Sequence, residues 1–319
     1  MRKNKLISFL ISLTMSTLIL LSGSVAKYNS SEAASNYRLY KVFNATTGAY
    51  IAQYSISQSQ VLETMTRGAF DPNINTVNEY NLKKGVVKIM CSDNYLGTGF
   101  IVDDYTIATA AHCLIDSNST SSKIISDVLL FDNNDNITLH ASPEQIHLPT
   151  EWYNFANSNH VFSNDPEVEL EHWTYDYALI TVEENLSDYM HYKLGTTLNY
   201  FYPYSSNVNP NKLLKIIGYP SSSNNHVYNQ TEIESGYALY YTNSSYYNPY
   251  NALLYYSNST SSGYSGSPVY YTEQYNNTDY NTVIGIHTAG SCFAPNARSG
   301  VRFTDDHLTF YLNNPYLNS

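Results

Sequence analysis

Short apolar runs of five or six residues, separated by polar turns, recur from residue 85 to residue 287. Each run is too short for a typical helix, and strand-favouring Val, Ile and Tyr are frequent in them. The runs cover residues 85–90, 97–102, 106–110, 177–182, 213–218, 237–242, 252–256, 268–272 and 282–287. This pattern predicts an all-β protein, built as a barrel or a sandwich.

One helix is predicted, at the C-terminal end of the chain. Two aspartates at 305 and 306 precede apolar residues at helical spacing over 307–312, and Asn-Asn-Pro follows at 313–315. Acidic residues favour the start of a helix and Pro favours its end. The chain has 319 residues, which is enough to bury a sizeable core in a single β-rich domain.

The first 26 residues have the features of a signal peptide. Arg2, Lys3 and Lys5 form a basic start, residues 6–21 are mostly apolar, and a small-x-small sequence at 24–26 offers a cleavage site. The alternative is an uncleaved membrane anchor, but the run is short for that purpose and contains several hydroxyl residues. We therefore expect an exported, extracellular protein of bacterial type, without stable membrane association after cleavage.

Residues 27–67 are polar and show no clear core pattern, although 53–65 could form a modest helix. Their position between a signal peptide and a β-rich region predicts a propeptide, and the alternative is a disordered arm. A cut at Arg67-Gly68 would release the domain formed by residues 68–319.

The chain is strongly acidic, with a net charge of −11 that falls to −14 when the signal peptide is removed. From residue 68 onward there are 9 basic and 25 acidic residues, a net charge of −16. This balance argues against nucleic acid and anionic membranes as partners.

Three short motifs carry the residue types of nucleophilic catalysis. They are T-A-A-H-C at 109–113, D-Y-A-L-I at 176–180 and G-Y-S-G-S-P at 263–268. Each alone is also typical of a structural histidine, a turn aspartate or a tight glycine turn. Together they present His112, Asp176 and Ser265 in the chain order of chymotrypsin-type catalytic triads.

From about residue 80 to its end, the sequence resembles the trypsin-like serine protease superfamily through these three motifs. Within it, the sequence is most similar to the bacterial glutamyl endopeptidases. The resemblance implies two perpendicular six-stranded β-barrels followed by the helix, with the active site between the barrels. His112 and Asp176 would come from the first barrel, and Ser265 from the second.

The chemistry requires these residue types. A serine hydroxyl needs an adjacent base, which His112 would supply, while Asp176 would orient the imidazole and stabilise its charged form. The glycines at 263 and 266 permit a tight turn, in which the N–H groups of Gly263 and Ser265 would form an oxyanion hole. Ser267 is the alternative nucleophile, but the motif register favours Ser265.

The resemblance to glutamyl endopeptidases extends to the substrate pocket. Thr260 matches a hydroxyl residue of that family's S1 pocket, and His287 matches the histidine that contacts the acidic substrate side chain. Thr288, Ala289 and Gly290 would pair with the substrate backbone as an added strand. The alternatives are a solvated threonine in a polar loop and a buried strand histidine.

The acidic field of the domain would repel an acidic substrate, so a local positive charge is required. His287 and a freed α-amino group are the candidates, and in the glutamyl endopeptidases the mature N-terminal amine lies near S1. Tyr264 stands where animal trypsin-like enzymes have an Asp that pairs with the new N-terminus, so that activation switch is absent. The glutamyl endopeptidases usually have Asn there.

The cysteines match the family only in part. Many relatives link the cysteine after the catalytic histidine, here Cys113, to one on an earlier strand. Cys91 is the only earlier partner, but it lies several residues ahead of the usual place. Cys292 follows the S1 strand and is expected to be unpaired or surface-exposed.

Two rival functions remain open. One is a serine protease with another P1 preference, and the other is a catalytically silent binding or adhesion protein on the same fold. Tyr- and Asn-rich loops over 240–256 suit a recognition surface, whereas a binding protein has no need for all three triad residues. We expect a monomer that acts on proteins or peptides, with no cofactor and no metal site, because no calcium-loop or zinc spacing is present.

Overall fold

Two β-sheets carry the strands of the part of the chain that the computed structural model describes. The described residues are 37–57, 82–93, 95–115, 124–132, 134, 136–157, 172–195, 213–220, 232–239, 253–275, 278–289, 298–312, 314 and 317. Leu39–Ser319 form one compact unit, and of the unit Met1–Arg38 only Tyr37 and Arg38 are described. The predicted signal peptide and the Arg67-Gly68 cut lie outside the described residues.

The first sheet has nine strands. Its strands are β1 (Tyr37–Asn44), β2 (Tyr50–Ser57), β3 (Val86–Cys91), β4 (Leu96–Asp103), β5 (Thr106–Thr109), β6 (Ile125–Phe131), β7 (Ile137–Ala141), β8 (Pro143–Pro149) and β9 (Ala178–Val182). They are hydrogen-bonded in the order β2-β1-β8-β9-β5-β4-β3-β6-β7. Only Ser142 separates β7 from β8, and this bent strand pairs with β6 through one half and with β9 through the other. Strands β3 to β9 thus form six barrel staves, with β1 and β2 added outside.

The apolar runs of the first half correspond to β3, β4, β5 and β9, whose residues are nearly all buried. Continuous apolar runs suit strands that are covered on both faces. The predictions did not include β6, β7 and β8. Strand β7 was missed because most of its residues are exposed or half-buried and its sequence carries little apolar signal.

The second sheet is a closed six-stranded barrel in the order β10-β11-β12-β15-β14-β13. Its strands are β10 (Leu213–Gly218), β11 (Glu232–Leu239), β12 (Leu253–Tyr256), β13 (Pro268–Tyr275), β14 (Thr278–Ala289) and β15 (Arg298–Arg302). The double-barrel fold is therefore confirmed. The run predicted at 237–242 is displaced, because β11 begins earlier in the chain. Strand β15 was not predicted, because two arginines and a glycine interrupt its apolar pattern.

The predicted C-terminal helix is confirmed as α2 (Asp305–Leu312), and a second helix, α1 (Thr150–Asn157), follows β8. The Tyr311 hydroxyl on α2 donates a hydrogen bond to the Ala178 carbonyl at 3.3 Å. This bond fastens the helix to β9, the strand that follows Asp176. No helix within the described ranges is long and apolar enough to cross a membrane.

The segment 37–57, which falls in the predicted propeptide, forms a β-hairpin rather than a patternless arm. Gly48 has a φ of 68° in its turn, and Asn44 Oδ1 accepts hydrogen bonds from the N–H groups of Thr46 and Thr47. Strand β1 pairs with β8 over five residue pairs, from Tyr40↔Pro149 to Asn44↔Gln145. The helix suggested over 53–65 is wrong for residues 53–57, which belong to β2, and its remainder lies outside the described residues.

Candidate active site

His112 and Asp176 meet where two paired strands of the first barrel begin and end. Strand β5 pairs with β9 through Thr109↔Ala178, so the turn after β5 lies beside the residue before β9. His112 Nδ1 is 2.7 Å from Asp176 Oδ2, and the His112 backbone N–H donates to Asp176 Oδ1 at 2.8 Å. The Asp176 side chain is fully buried, whereas the His112 side chain is 16% exposed. One carboxylate therefore holds both the imidazole and the main chain of His112, and the second ring nitrogen, Nε2, lies 4.0 Å from Cys113 Sγ.

The buried carboxylate also sets the basicity of the imidazole. Burial alone would lower the pKa of His112, but the negative charge of Asp176, the neighbouring Cys113 side chain and the hydrogen bond to Asp176 together outweigh burial and hold the pKa well above its ordinary value. A charged partner that favours the protonated imidazole has this effect. The arrangement makes His112 a stronger proton acceptor than a free histidine.

The loop that carries Ser265 is bent by two glycines. Gly263 and Gly266 have φ values of 94° and 89°, a left-handed region that side chains rarely adopt. A Cβ at Gly266 would also collide with the Thr98 carbonyl and the Thr109 hydroxyl. The glycines of the motif are thus required by geometry, as the sequence indicated.

Thr98, on β4, holds this loop from the first barrel. Its N–H donates to the Ser265 carbonyl at 2.8 Å, and its hydroxyl donates to the Gly263 carbonyl at 2.7 Å. The loop is anchored on its other side by Gly266 N–H, which donates to the His287 carbonyl at 2.8 Å. Both barrels therefore fix the position of Ser265.

These bonds engage the carbonyls of the loop and leave two N–H groups available. Among the described residues, the N–H groups of Gly263 and Ser265 have no backbone partner. Preorganised, unpaired N–H groups beside a nucleophile are what an oxyanion hole needs. Ser267 is fully buried, whereas Ser265 is half-buried, which favours Ser265 over Ser267 as the reacting residue.

Within the described ranges no hydrogen bond joins Ser265 to His112. Tyr95 and Cys113 both contact the imidazole: the Tyr95 ring meets the His112 ring edge-on with centroids 6.5 Å apart, and Cys113 Sγ is 4.0 Å from His112 Nε2. The Tyr95 hydroxyl interacts with the side chains of Ser265 and Cys113. Burial raises the pKa of Tyr95 well above its ordinary value, so it stays a neutral phenol. Tyr95 was not among the residues predicted from the sequence, where its position directly before β4 was the only available signal.

Cys91 and Cys113 are both buried and no disulfide joins them, so the pairing considered from the sequence does not form. Cys91 Sγ instead donates to the Cys113 carbonyl at 3.7 Å. The position that faces the Cys113 sulfur is Gly97, where a Cβ would lie 2.9 Å from Sγ. Cys91 therefore lies on β3, which pairs with the β4 strand of Gly97, but not at the position that faces the Cys113 sulfur. Cys292 lies outside the described residues.

His287 is buried on β14 and is held by Tyr256. The Tyr256 hydroxyl donates to the Ser299 carbonyl at 2.9 Å and lies 2.7 Å from His287 Nδ1. A hydroxyl has one proton, so both bonds are satisfied only if His287 Nδ1–H donates to the Tyr256 oxygen. Burial, aided by the positive charges of His112 and Arg298, lowers the pKa of His287 to about 3. The neutral imidazole thus presents the lone pair of Nε2.

Of the other residues predicted for the substrate pocket, the structure describes Thr260, Thr288 and Ala289. Thr288 and Ala289 are buried, next to a register shift between His287 and Ala289 on β14. Thr260 is half-buried in the loop before Ser265, and no hydrogen bond joins it to His287 among the described residues. Gly290 lies outside the described residues.

The side chain of Tyr264, the residue before Ser265, packs into the core of the second barrel. It is 1% exposed and lies in the apolar cluster of the second barrel with Leu214, Ile216 and Leu254. A Cβ on Gly218 would touch its ring at 2.9 Å. Tyr264 therefore anchors the Ser265 loop to the core of the second barrel.

Comparison with solved structures agrees with the fold. A Glu endopeptidase in complex with MPD is 20% identical, with a TM-score of 0.54 over 76% of this chain and 94% of that chain. A thermostable serine protease, AL20, from an extremophilic microorganism is 17% identical, with a TM-score of 0.46 over 75% and 98% of the two chains. The likeness to the Glu endopeptidase shows the double-barrel fold.

Comparison with protein families gives a more specific result, whereas no curated protein matches the chain. The trypsin-like peptidase domain matches residues 97–278, which is more than half of the sequence. The match begins at Gly97 in β4 and therefore includes all three motifs. The chain belongs to the family of trypsin-like peptidase domains.

Proposed function

We propose that this serine peptidase is an exported endopeptidase that cleaves after Glu, and more weakly after Asp, with Ser265, His112 and Asp176 as its triad. The observation that carries the proposal is the doubly held His112–Asp176 pair, together with a glycine-bent loop whose N–H groups at Gly263 and Ser265 have no backbone partner in the described part of the chain. A structural histidine or a plain turn requires neither feature.

The arrangement supports hydrolysis through an acyl-enzyme. Ser265 Oγ would attack the scissile carbonyl carbon while His112 Nε2 takes the serine proton and Asp176 stabilises the imidazolium. The N–H groups of Gly263 and Ser265 would hold the oxyanion until the C–N bond breaks and His112 protonates the leaving amine. A water molecule then attacks the acyl-enzyme ester by the same steps, with Ser265 as the leaving group. Contacts between nucleophile and base commonly tighten only when substrate binds.

The preference for Glu is supported by His287 and Thr260. Both lie in segments that flank Ser265, since the His287 carbonyl and N–H bond the loop at Gly266 and Ser267. A hydroxyl can donate a hydrogen bond to a carboxylate, and an imidazole can do so when the ring nitrogen that meets the carboxylate carries a proton. The resemblance of these two positions to the glutamyl endopeptidases supports the same assignment.

A digestion experiment tests this proposal. A denatured protein is incubated with the matured enzyme, with Ser265→Ala and with Ser261→Ala, and new termini are mapped by mass spectrometry. Ser261 is an exposed serine of the same loop, so its variant controls for loop substitution. We expect cuts clustered after Glu with the parent and Ser261→Ala, and none with Ser265→Ala.

Other outcomes separate the alternatives. Cuts after other residues would retain the triad and reject the pocket assignment. No cuts by properly matured parent protein, across several substrates, would favour a silent binding protein on this fold.

Export and processing complete the proposal. The signal-like sequence of residues 1–26 supports secretion, and the basic, glycine-flanked Arg67-Gly68 bond supports a cut before the domain of residues 68–319. The secreted enzyme is proposed to be a monomer. Amino-terminal sequencing and gel filtration of secreted protein test these points.

A further inference from the structure

The neutral state of His287 removes one of the two positive charges that the sequence offered to an acidic substrate. The Tyr256 oxygen accepts a hydrogen bond from His287 Nδ1–H, so the neutral imidazole carries its lone pair on Nε2 and has no second N–H to donate to a carboxylate. The acidic surface, with a net charge of −16 from residue 68 onward, repels an acidic substrate. A cleavage preference for Glu therefore requires another cation close to His287.

Arg298 lies at the required place. It begins β15, directly opposite Tyr256 in the pairing of β12 with β15. Alternate residues of a strand share a face, so Arg298 lies on the face of Gly300, where a Cβ would be 2.9 Å from the Tyr256 hydroxyl. Its charge also acts on both Tyr256 and His287. The guanidinium is thus beside the Tyr256–His287 pair.

The guanidinium also has unused hydrogen-bonding capacity. Arg298 Nε is shielded from solvent and has no hydrogen-bond partner among the described residues. A buried donor without a partner costs free energy that a bound acceptor would recover. A carboxylate suits an arginine especially well, because its two oxygens match the planar fork of N–H groups.

We propose that Arg298 is a specificity-determining residue that binds the acidic P1 side chain of the substrate beside His287. This inference rests on the proposed function, since it names the charge partner within the same pocket. It assigns the requirement for positive charge to the guanidinium of an arginine rather than to an imidazole.

The test compares two peptide substrates that differ only in Glu or Gln at P1. Arg298→Gln and Arg298→Lys are compared with Lys215→Gln, which removes one positive charge from a strand of the same barrel. We expect Arg298→Gln to lower kcat/KM for the Glu substrate about 10- to 100-fold, the effect of losing a charged hydrogen bond. We expect the Gln substrate to change less than about 3-fold, with Arg298→Lys intermediate and Lys215→Gln close to the parent.

The outcomes distinguish this inference from the proposed function. A parent enzyme without preference for Glu over Gln overturns the proposed specificity itself. A parent that prefers Glu, with the ratio unchanged in Arg298→Gln, overturns only the role of Arg298. An equal loss in Lys215→Gln overturns it too, because it would reveal a general charge effect. Labelling of Ser265 by a fluorophosphonate and thermal unfolding check that each variant is folded.

A second observation, independent of catalysis, concerns the N-terminal hairpin β1–β2. Tyr40 stacks on Phe310 of α2 at 4.5 Å, and the Tyr54 hydroxyl accepts a hydrogen bond from Asn314 Nδ2 at 2.6 Å. Lys41 lies over the ring of Tyr153 at 4.6 Å. The hairpin therefore joins β8, α1 and the C-terminal helix.

The same hairpin reaches the residue next to Asp176. The hydroxyls of Tyr40 and Tyr177 are 3.2 Å apart, and both side chains are buried. Loss of the hairpin would expose an unpaired edge of β8 and the apolar rings beneath Tyr40, which is unfavourable for a folded protein. A removable propeptide is not expected to complete the core in this way.

We infer that the hairpin of residues 37–57 is an integral part of the working peptidase and stays bound even if the chain is cut after it. A recognition sequence for a site-specific protease is inserted between residues 58 and 81, outside both barrels' described strands, and the cut protein is passed through gel filtration. We expect the fragment with residues 37–57 to co-elute with the remainder, and Tyr40→Ala to weaken its retention at least about 10-fold.

Release of the fragment from a remainder that stays folded would overturn this inference and support a removable propeptide. Release together with unfolding of the remainder, seen by circular dichroism, would support it. The uncut insertion variant controls for the added sequence. None of these readouts requires peptidase activity, so the result stands whether or not the Glu specificity is correct.

Discussion

Asp176 binds His112 through two different groups, the backbone N–H and the ring Nδ1, at 2.8 and 2.7 Å. One carboxylate thus positions both the main chain and the side chain of the proposed general base. The pair is separated by 64 residues in sequence, and the pairing of β5 with β9 brings it together.

The first prediction concerns the pH dependence of activity. His112 must be neutral to accept a proton, and Asp176 raises its pKa, so kcat/KM should be lost as pH falls through a value above 6.5. Asp176→Asn should lower kcat/KM about 10³- to 10⁴-fold. A pH–rate profile with its acidic limb below 6.5 would contradict this assignment.

A second prediction tests how Thr98 holds the nucleophile loop. Thr98→Val removes the hydroxyl that donates to the Gly263 carbonyl and accepts from the Tyr219 N–H. We expect kcat/KM to fall about 10-fold or more and the free energy of unfolding to fall by about 1–3 kcal/mol. Thr109→Val, which loses a bond to the Thr98 carbonyl, is the matched control. Equal losses of activity in the two variants would argue against a specific effect on the loop.

A third prediction uses the register of the cysteines. Gly97→Cys places a Cβ 2.9 Å from Cys113 Sγ and 3.3 Å from its Cβ, so a shift of a few tenths of an ångström would reach the Cβ–Cβ separation of about 3.5–4.5 Å found in disulfides. Oxidation should link the two residues and stabilise the protein by about 3 kcal/mol, the value for a loop of roughly 15 residues. Non-reducing peptide mapping identifies the bond, and Cys91→Ser should leave it intact. Pairing with Cys91 instead would show that the register is wrong.

A fourth prediction concerns acid stability. Burial lowers the pKa of His147 to about 3, whereas an unfolded histidine titrates near 6.5. The unfolded chain therefore binds a proton that the folded chain refuses as pH falls from 6.5 to 3, and stability falls in that window by about 1.4 kcal/mol per pH unit. His287, with a pKa of about 3, acts in the same direction.

Urea unfolding at pH 7 and pH 4.5 tests this point. His147→Phe, which keeps an aromatic ring beside Tyr54, should lose about 2–3 kcal/mol less than the parent between the two pH values. His140→Phe serves as the control, because the His140 side chain is 63% exposed. If both variants lose as much stability as the parent, His147 is not the titrating group.

Much of the fold was available in the sequence because its signals are local. Strands such as β9 are continuous apolar runs, and α2 has an acidic start and a proline-linked end. Strand β15 was missed because Arg298, Gly300 and Arg302 interrupt its apolar pattern. The hairpin β1–β2 was missed because its buried residues, such as Tyr40, alternate with polar ones and are covered by distant elements.

The sequence by itself determined the strand-rich architecture, the order of the three motifs and the need for glycine at 263 and 266, since each follows from local pattern or backbone geometry. The tertiary structure decided which residues meet. It placed Gly97 rather than Cys91 opposite the Cys113 sulfur. It also directed the Nδ1–H of His287 to the Tyr256 oxygen and brought Arg298 beside that pair. The physical reason is that strand register and burial depend on contacts between segments far apart in the chain, which no local pattern encodes.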